Sequence, residues 1–307
     1  MRLLDESTVQ PGEIDGLGHL NVRFYLTRAL RGHELLMASL GLDRKTRATA
    51  GAVLNRVDTY CRYHREQRLG ARLQSYGGWL KTSADSLTAY HEIRGGGETA
   101  ATFVIEFALE DLETHRRLPL APGVRRKAES ELVVLPDYAQ PRSLSLAPPR
   151  LDLEMGAIRQ GASPGDGSVL DREIEFVIDP SECDAFGFLR EGEDMKFGAQ
   201  RGPVEALGPA KQLTDDGRRF GWVSMETRSV EAARPRVGDL LRSMPVEIGL
   251  HRKARHNRRW IFNLTAGRLA GIEDNVVLAF DIEARRAIEI PASAREQLQA
   301  RHLPELA

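Results

Sequence analysis

The chain has 307 residues, 41% of them hydrophobic, with 43 Lys and Arg against 44 Asp and Glu and a formal net charge of −1. That length predicts about two domains, and the composition predicts a globular fold with a sizeable core. The balanced charge gives no ground for binding nucleic acid or a membrane surface. Two cysteines, Cys61 and Cys183, exclude a zinc-finger framework and argue for a reducing compartment. The opening residues Met1-Arg-Leu-Leu-Asp-Glu-Ser contain no apolar signal-peptide core. No apolar run reaches bilayer-spanning length, so a cytoplasmic location is expected.

The first informative stretch is Val9-Gln-Pro-Gly-Glu-Ile-Asp15-Gly-Leu-Gly18-His19-Leu-Asn21-Val-Arg-Phe24-Tyr25. Asp15 precedes a Gly-rich turn, and His19 and Asn21 open a segment of helical spacing. The pattern predicts a carboxylate beside a helix N-terminus. The first N–H groups of a helix lack internal partners and carry partial positive charge. They can polarise a carbonyl while a carboxylate works on it from the other side. An Asp-Gly turn before an ordinary helix is the plainer reading of the same spacing.

The helix is expected over residues 19–42, with Leu20, Phe24, Leu30, Leu35 and Leu36 as its apolar stripe and Gly41 as its stop. Arg23, Arg28, Arg31 and Glu34 read as a solvated face, and His33 as a surface or helix-end residue. Strands are expected from Val53 to Tyr60, Leu73 to Leu80, Ser86 to Ile93 and Thr102 to Leu109. In the last, Phe103, Ile105, Phe107 and Leu109 alternate as one core-facing row. Arg68-Leu-Gly70 reads as a turn. Gly95-Gly-Gly97 is a turn and not a phosphate loop, since neither Lys-Ser, Lys-Thr nor a helix follows. Pro136, Pro141, Pro148 and Pro149, with turn-like residues 161–167, mark 123–170 as a connector between a domain at 1–122 and one at 171–307.

The spacing Asp15-x-x-Gly18-His19-x-Asn21-x-x-x-Tyr25, followed by this order of elements, resembles the motif of hotdog-fold acyl-CoA thioesterases of the hydroxybenzoyl-CoA thioesterase type. The resemblance covers roughly residues 1–122. It implies an α+β unit in which an antiparallel sheet wraps a central helix. It also implies that Asp15 attacks a thioester carbonyl or activates water, while Gly18 and His19 present backbone N–H groups to the carbonyl oxygen. His19 and Asn21 serve either there or as helix-start residues. Where the family usually has Gly-Asp, this chain has Gly70-Ala71. No metal or prosthetic group is implied, and coenzyme A enters only as part of the substrate.

The second half repeats the first. Val9 to Gly18 aligns with Ile178 to Gly187 (184 − 15 = 169 and 187 − 18 = 169), and Gly70 with Gly238 (238 − 70 = 168), where Asp239 restores the Gly-Asp. Asp111-Leu-Glu-Thr-His-Arg-Arg117 matches Asp281-Ile-Glu-Ala-Arg-Arg286 with one residue fewer. The expected architecture is therefore two tandem hotdog units forming a pseudo-two-fold double hotdog, with further pairing into a homodimer through sheet edges as an added expectation. The chemistry is not repeated. His19 becomes Phe188 and Asn21 becomes Arg190, and Gly198, Gly202, Pro203 and Gly208 predict a broken helix. Asp184 is either a second site or part of a structural partner. Tyr60, His64 and Glu226 lie on the strand that, in paired hotdogs, approaches the opposite unit's active loop. Glu226, the equivalent of Asp58, is alternatively a solvent-face carboxylate.

Arg252, Lys253, Arg255, Arg258 and Arg259 fall in a basic run, His251 to Arg259, expected where two strands turn. They form either a solvated hairpin loop or a site for the phosphates of coenzyme A or an acidic carrier protein. Trp260 is expected to begin a strand. Three functions fit: hydrolysis of an acyl-CoA or acyl-carrier-protein thioester, hydration or dehydration of an acyl thioester, and non-catalytic acyl-CoA binding. Hotdog hydratases resemble an Asp-x-Asn-Pro-x-His pattern, and no Pro follows Asp15 at that spacing.

Overall fold

The computed structural model describes residues 1–161, 173–190, 213–299 and 302–306. The chain divides into two compact units, Met1–Arg142 and Ser143–Ala307. In the first, strands β1 (Arg2–Thr8), β2 (Ala52–Tyr63), β3 (Arg72–Thr82), β4 (Ser86–Gly95), β5 (Glu98–Asp111) and β6 (Arg117–Leu118) accompany helices α1 (Val22–Ser39), α2 (Arg44–Thr49) and α3 (Pro122–Glu129). The sheet runs β1-β3-β4-β5-β2, with β6 on β5 and every pair antiparallel. Strand β5 buries Phe103, Ile105 and Phe107 on one face, as the alternation implies.

Helix α1 is built from good helix formers and begins at Val22 rather than at His19. Residues 15–19 close a loop of their own, and Asn21 is the N-cap, its side chain accepting from the Arg23 N–H. The helix ends at Ser39, before Gly41, whose φ of +79° is the left-handed turn that often closes helices. Its buried residues include Tyr25, Leu26, Arg28, Ala29, Gly32, His33, Leu36 and Met37, so the core-facing stripe is rotated from the expected one. Leu35, expected inside, is 48% exposed.

Arg28 and His33, expected at the surface, are buried because each finds partners there. The His33 ring stacks on Phe107 at 3.6 Å and meets Trp79 edge-on. Its Nδ1 lies 3.4 Å from His91 Nε2. Gly32 lets the helix approach the sheet closely, since a Cβ there would stand 3.1 Å from the Leu4 side chain and 3.2 Å from Ser75 Oγ.

In the second unit, α4 (Met155–Gly161) precedes β7 (Ile174–Val177), β8 (Phe220–Glu231), β9 (Leu240–Leu250), β10 (Ala254–Asn263), β11 (Arg268–Asp281), β12 (Arg286–Ala287) and α5 (Ala292–Gln299). Its sheet runs β8-β11-β10-β9-β7, again antiparallel, with β12 on β11. Met244, Val246, Trp260, Phe262 and Ile272 form a core with Ile158 and Leu303. Trp260 therefore lies deep within β10 and does not begin it. The segment carrying Gly198, Gly202, Pro203 and Gly208 lies outside the described residues.

The two sheets share a local irregularity. Strand β2 bulges at Val57 against β5, and β8 bulges at Met225 against β11, a separation of 225 − 57 = 168 residues. The described part of the proline-bearing connector is hydrogen-bonded to strands at two places. The Val133 N–H donates to the Trp79 carbonyl at 2.7 Å in the first unit. In the second, Arg228 donates to the carbonyls of Ser145 and Ala147 at 2.7 and 2.8 Å.

Candidate active site

Beyond β1 the backbone is fixed against the turn that leads into β3. The Val9 N–H donates to the Ala71 carbonyl at 3.0 Å, and the Gly70 N–H donates back to Val9 at 3.1 Å. A single helical turn, Pro11–Glu13, follows. Ile14 and Leu20 then pair across an antiparallel bridge, which makes residues 15–19 a closed loop. Within it the Asp15 N–H donates to the His19 carbonyl at 2.9 Å and the Gly18 N–H to the Asp15 carbonyl at 3.0 Å. Gly18 has a φ of +79°, which a residue with a Cβ adopts only with strain. Leu20 is fully buried below the loop, and its N–H donates to the Gln67 carbonyl at 2.8 Å.

The Asp15 carboxylate is held at both oxygens. Oδ1 accepts the Leu17 N–H at 2.9 Å, and Oδ2 lies 3.2 Å from His19 Nδ1. Burial alone raises this carboxyl's pKa. The hydrogen bond and charge of His19, with the N–H groups of Leu17 and His19, outweigh burial and leave it below its ordinary 3.8. Asp15 is therefore an anion at neutral pH.

Asp15, Gly18, His19 and Asn21 thus come together around one loop, with Asn21 in the helix-start role of the two that the sequence left open. The N–H groups of Gly18 and His19, expected to face a substrate carbonyl, are engaged by the Asp15 carbonyl and carboxylate respectively. Asn21 serves the helix start: its Oδ1 accepts the Arg23 N–H at 3.1 Å and its own N–H donates to the Glu13 carbonyl at 2.9 Å.

The reading of the sequence missed how the loop is fastened. Buried Arg28 donates to Glu13 Oε2 at 2.8 Å, to Ser7 Oγ at 2.8 Å and to the Phe24 carbonyl at 2.9 Å. Burial raises the Glu13 carboxyl's pKa, but the Arg28 hydrogen bond, the Gln10 N–H and the charges of Arg28 and Arg31 bring it below its ordinary value. The available signal was the spacing Tyr25, Arg28, Ala29, Gly32, Leu36, which puts Arg28 on the buried face.

The second unit builds the same loop around Asp184. Cys183 bridges Leu189, the Asp184 N–H donates to the Phe188 carbonyl at 2.8 Å, and the Gly187 N–H to the Asp184 carbonyl at 3.1 Å. The Arg190 N–H meets the Glu182 carbonyl at 2.8 Å, as Asn21 meets Glu13. The carboxylate's surroundings differ. Asp184 pairs with Arg234 at 3.3 Å in place of an imidazole. Phe188, in the place of His19, is buried with the guanidinium groups of Arg234 and Arg236 at 5.2 and 4.6 Å from its ring centre.

Tyr60 is buried in β2 opposite Val104. His64, just past β2, has its Nε2 at 3.2 Å from Thr102 Oγ1 and its ring edge-on to Tyr138. Glu226 is buried, not on a solvent face, and accepts the N–H groups of Ser143 and Leu144 at 3.1 and 3.3 Å.

The basic run is not a hairpin loop, because only residues 251–253 form the turn and the rest belongs to β10. Its cations already have partners: Arg252 with Glu289, Arg255 with Glu247, Arg259 with Glu273, and Arg258 with Asp274 at 2.9 Å. Lys253 Nζ lies 3.4 Å from the Ala287 carbonyl. Among the described residues no group of three or more His, Cys, Asp and Glu is placed to hold a metal ion. No helix among them is long and apolar enough to cross a membrane.

Residues 9–128 match the model of the thioesterase-like superfamily, which bears out the resemblance carried by the Asp15 motif. The fold likeness extends over nearly the whole chain. A 12:0-ACP thioesterase from Umbellularia californica superposes with a TM-score of 0.66 at 9% identity, covering 90% of this chain and 93% of its own. An acyl-ACP thioesterase from Bacteroides thetaiotaomicron gives 0.63 at 10% identity, covering 89% and 96%. A Lactobacillus plantarum structure described as an oleoyl thioesterase gives 0.66 at 12%, covering 94% and 97%. No curated protein matches the sequence.

Proposed function

We propose that the protein hydrolyses acyl thioesters at the Asp15 loop of its first unit, and that its two units are the halves of a tandem double hotdog. The observation that carries this reading is the Asp15–His19 pair: an ionised carboxylate, half-buried, oriented by an imidazole at 3.2 Å in a loop whose counterpart has lost that imidazole. Either route open to Asp15 needs the anion. As a nucleophile it adds to the thioester carbon, expels the thiolate and leaves an acyl-aspartyl anhydride for water to open. As a general base it takes a proton from the attacking water. Both routes stay open, since a lowered pKa weakens the carboxylate as a base and as a nucleophile alike.

The positive end of α1, beginning at Val22, and the His19 imidazole are the local sources of positive potential for a developing oxyanion. On this reading the helix contribution comes from Val22 onward, beyond Gly18 and His19, where the motif implied it. The step needs no metal or prosthetic group, and coenzyme A or a carrier-protein pantetheine is part of the substrate. The second unit serves as structural partner. Its Asp184 is tied to a permanent guanidinium and lacks the polar companions of the first loop.

The test is thiol release from a panel of short, medium, long and aromatic acyl-CoAs and acyl-carrier proteins, on wild type and Asp15→Asn. Turnover lost in the variant, with the fold intact by circular dichroism, supports the reading. Turnover retained by Asp15→Asn places the chemistry on another group.

A further inference from the structure

The first unit carries a pocket of roughly 470 Å³ lined by His64, Arg65, Arg94, Gly97, Glu98 and Tyr138, with Thr99 beside them. It is a built site and not a chance hollow. Beneath it Glu92 is fully buried and accepts from Arg94 Nε at 2.7 Å, Thr99 Oγ1 at 2.6 Å, Tyr90 OH at 3.0 Å and Tyr138 OH at 2.8 Å. These bonds fix Arg94 and Tyr138 in place. The Arg94 guanidinium also rests on the Tyr76 ring at 4.9 Å. The same guanidinium meets the Tyr138 hydroxyl, so that cation and ring are held side by side.

Among the described residues Arg65 pairs with Glu98, at 2.9 Å, and both side chains are more than half exposed. Such a surface pair is weak and gives way to a stronger anion. Tyr138 comes from the connector, which Arg62 pins by donating to the carbonyls of Tyr138 and Gln140 at 2.9 and 3.1 Å. It supplies a flat, partly exposed aromatic wall. Gly97, with a φ of +83°, leaves the opposite rim without a side chain.

The geometry points to a site for the phosphorylated adenosine end of coenzyme A, with the base against Tyr138 and a phosphate on the guanidinium groups of Arg65 and Arg94. Two fork-shaped cations suit a phosphate better than a carboxylate or a neutral group, and an aromatic face suits a purine. The pocket and the candidate active-site loop share one supporting segment. The segment that walls the pocket supports the Asp15 loop on its other side, where the Arg65 carbonyl accepts from Tyr25 OH at 3.4 Å and the Gln67 carbonyl from the Leu20 N–H. This inference rests on the thioesterase reading and sharpens it: the substrate is a free acyl-CoA and not a carrier-protein thioester.

The experiment titrates the full-length protein with adenosine 3′,5′-bisphosphate by calorimetry, in wild type, Arg65→Glu and Arg94→Lys. Arg94→Lys keeps a cation beside buried Glu92 while removing the fork. Wild type should bind saturably, and each variant should bind at least about tenfold more weakly. In parallel, kcat/KM for an acyl-CoA is divided by that for the same acyl group on pantetheine, and this ratio should fall about tenfold in Arg65→Glu. No saturable binding to wild type, or unchanged binding in Arg65→Glu, overturns the proposal even if thioesters are hydrolysed. If no thioester of any kind is turned over, the thioesterase reading falls and the calorimetry still decides the pocket.

Discussion

At the scale of single residues, the first unit holds two kinds of buried titratable group with opposite consequences. Asp15 is kept ionised by His19 and two N–H groups, so the acid limb of kcat/KM that reports Asp15 should lie below pH 3.8. A pH–rate profile measures it, and an acid limb near 6 that persists in His19→Asn would contradict this assignment. His33 and His91 are the reverse case. Burial holds His91 down to about 3, and burial with the charges of His91 and Arg47 holds His33 well below its ordinary value. Both are neutral in the fold, while in the unfolded chain each takes a proton near 6.5.

The stability that this pair confers is complete above pH 6.5 and drains away as the pH falls towards the folded values, by about 1.4 kcal/mol per pH unit for each site. Urea midpoints should drop steadily between pH 6.5 and 4.5, before the depressed carboxyls begin to titrate. His91→Asn should flatten that slope, and an equally steep slope in the variant would show that other groups carry the dependence.

At the scale of elements, the Asp15 loop was legible because its signals are local. An Asp, a Gly at positive φ and an Asn cap fall within seven residues, and each acts on its own backbone neighbours. Strand β5 was legible for the same reason, through alternation alone. Charge and imidazole alone mark Arg28 and His33 as solvent-facing, although helical spacing puts both beside Tyr25, Ala29 and Leu36 on the buried face. The cations of β10 hid a strand in what looked like a loop, since their counter-charges, Glu247, Glu273 and Asp274, stand on the neighbouring strands β9 and β11. The Glu92 cluster was invisible because Tyr138 reaches it from the connector.

Asn21 offers a test at this scale. As an N-cap its replacement by Ala should cost about 1 kcal/mol of stability, and Asn21→Asp should restore most of it. Thermal unfolding reads both variants. A loss of kcat in Asn21→Asp, with stability restored, would return Asn21 to the catalytic group.

At the scale of the whole molecule, the chain uses one loop design twice and gives its carboxylate different partners. The bridges, turn bonds and bulges recur at offsets of 168 or 169 residues, so the backbone of the loop does not depend on His19. What differs is the carboxylate's partner, an imidazole at Asp15 and a guanidinium at Asp184. The proposed division of labour between a working unit and a supporting one rests on that difference. Such an arrangement leaves the second unit's residues free to change wherever packing is kept, and constrains the first at Asp15, His19 and the Glu13–Arg28 tie.

The most direct measurement sets Asp15→Asn beside Asp184→Asn and compares kcat/KM for the best acyl thioester with the wild type. Asp15→Asn should lose about a thousandfold or more, and Asp184→Asn should stay within about threefold of wild type. Equal losses in the two variants, or the larger loss in Asp184→Asn, would contradict the assignment of the chemistry to the first unit.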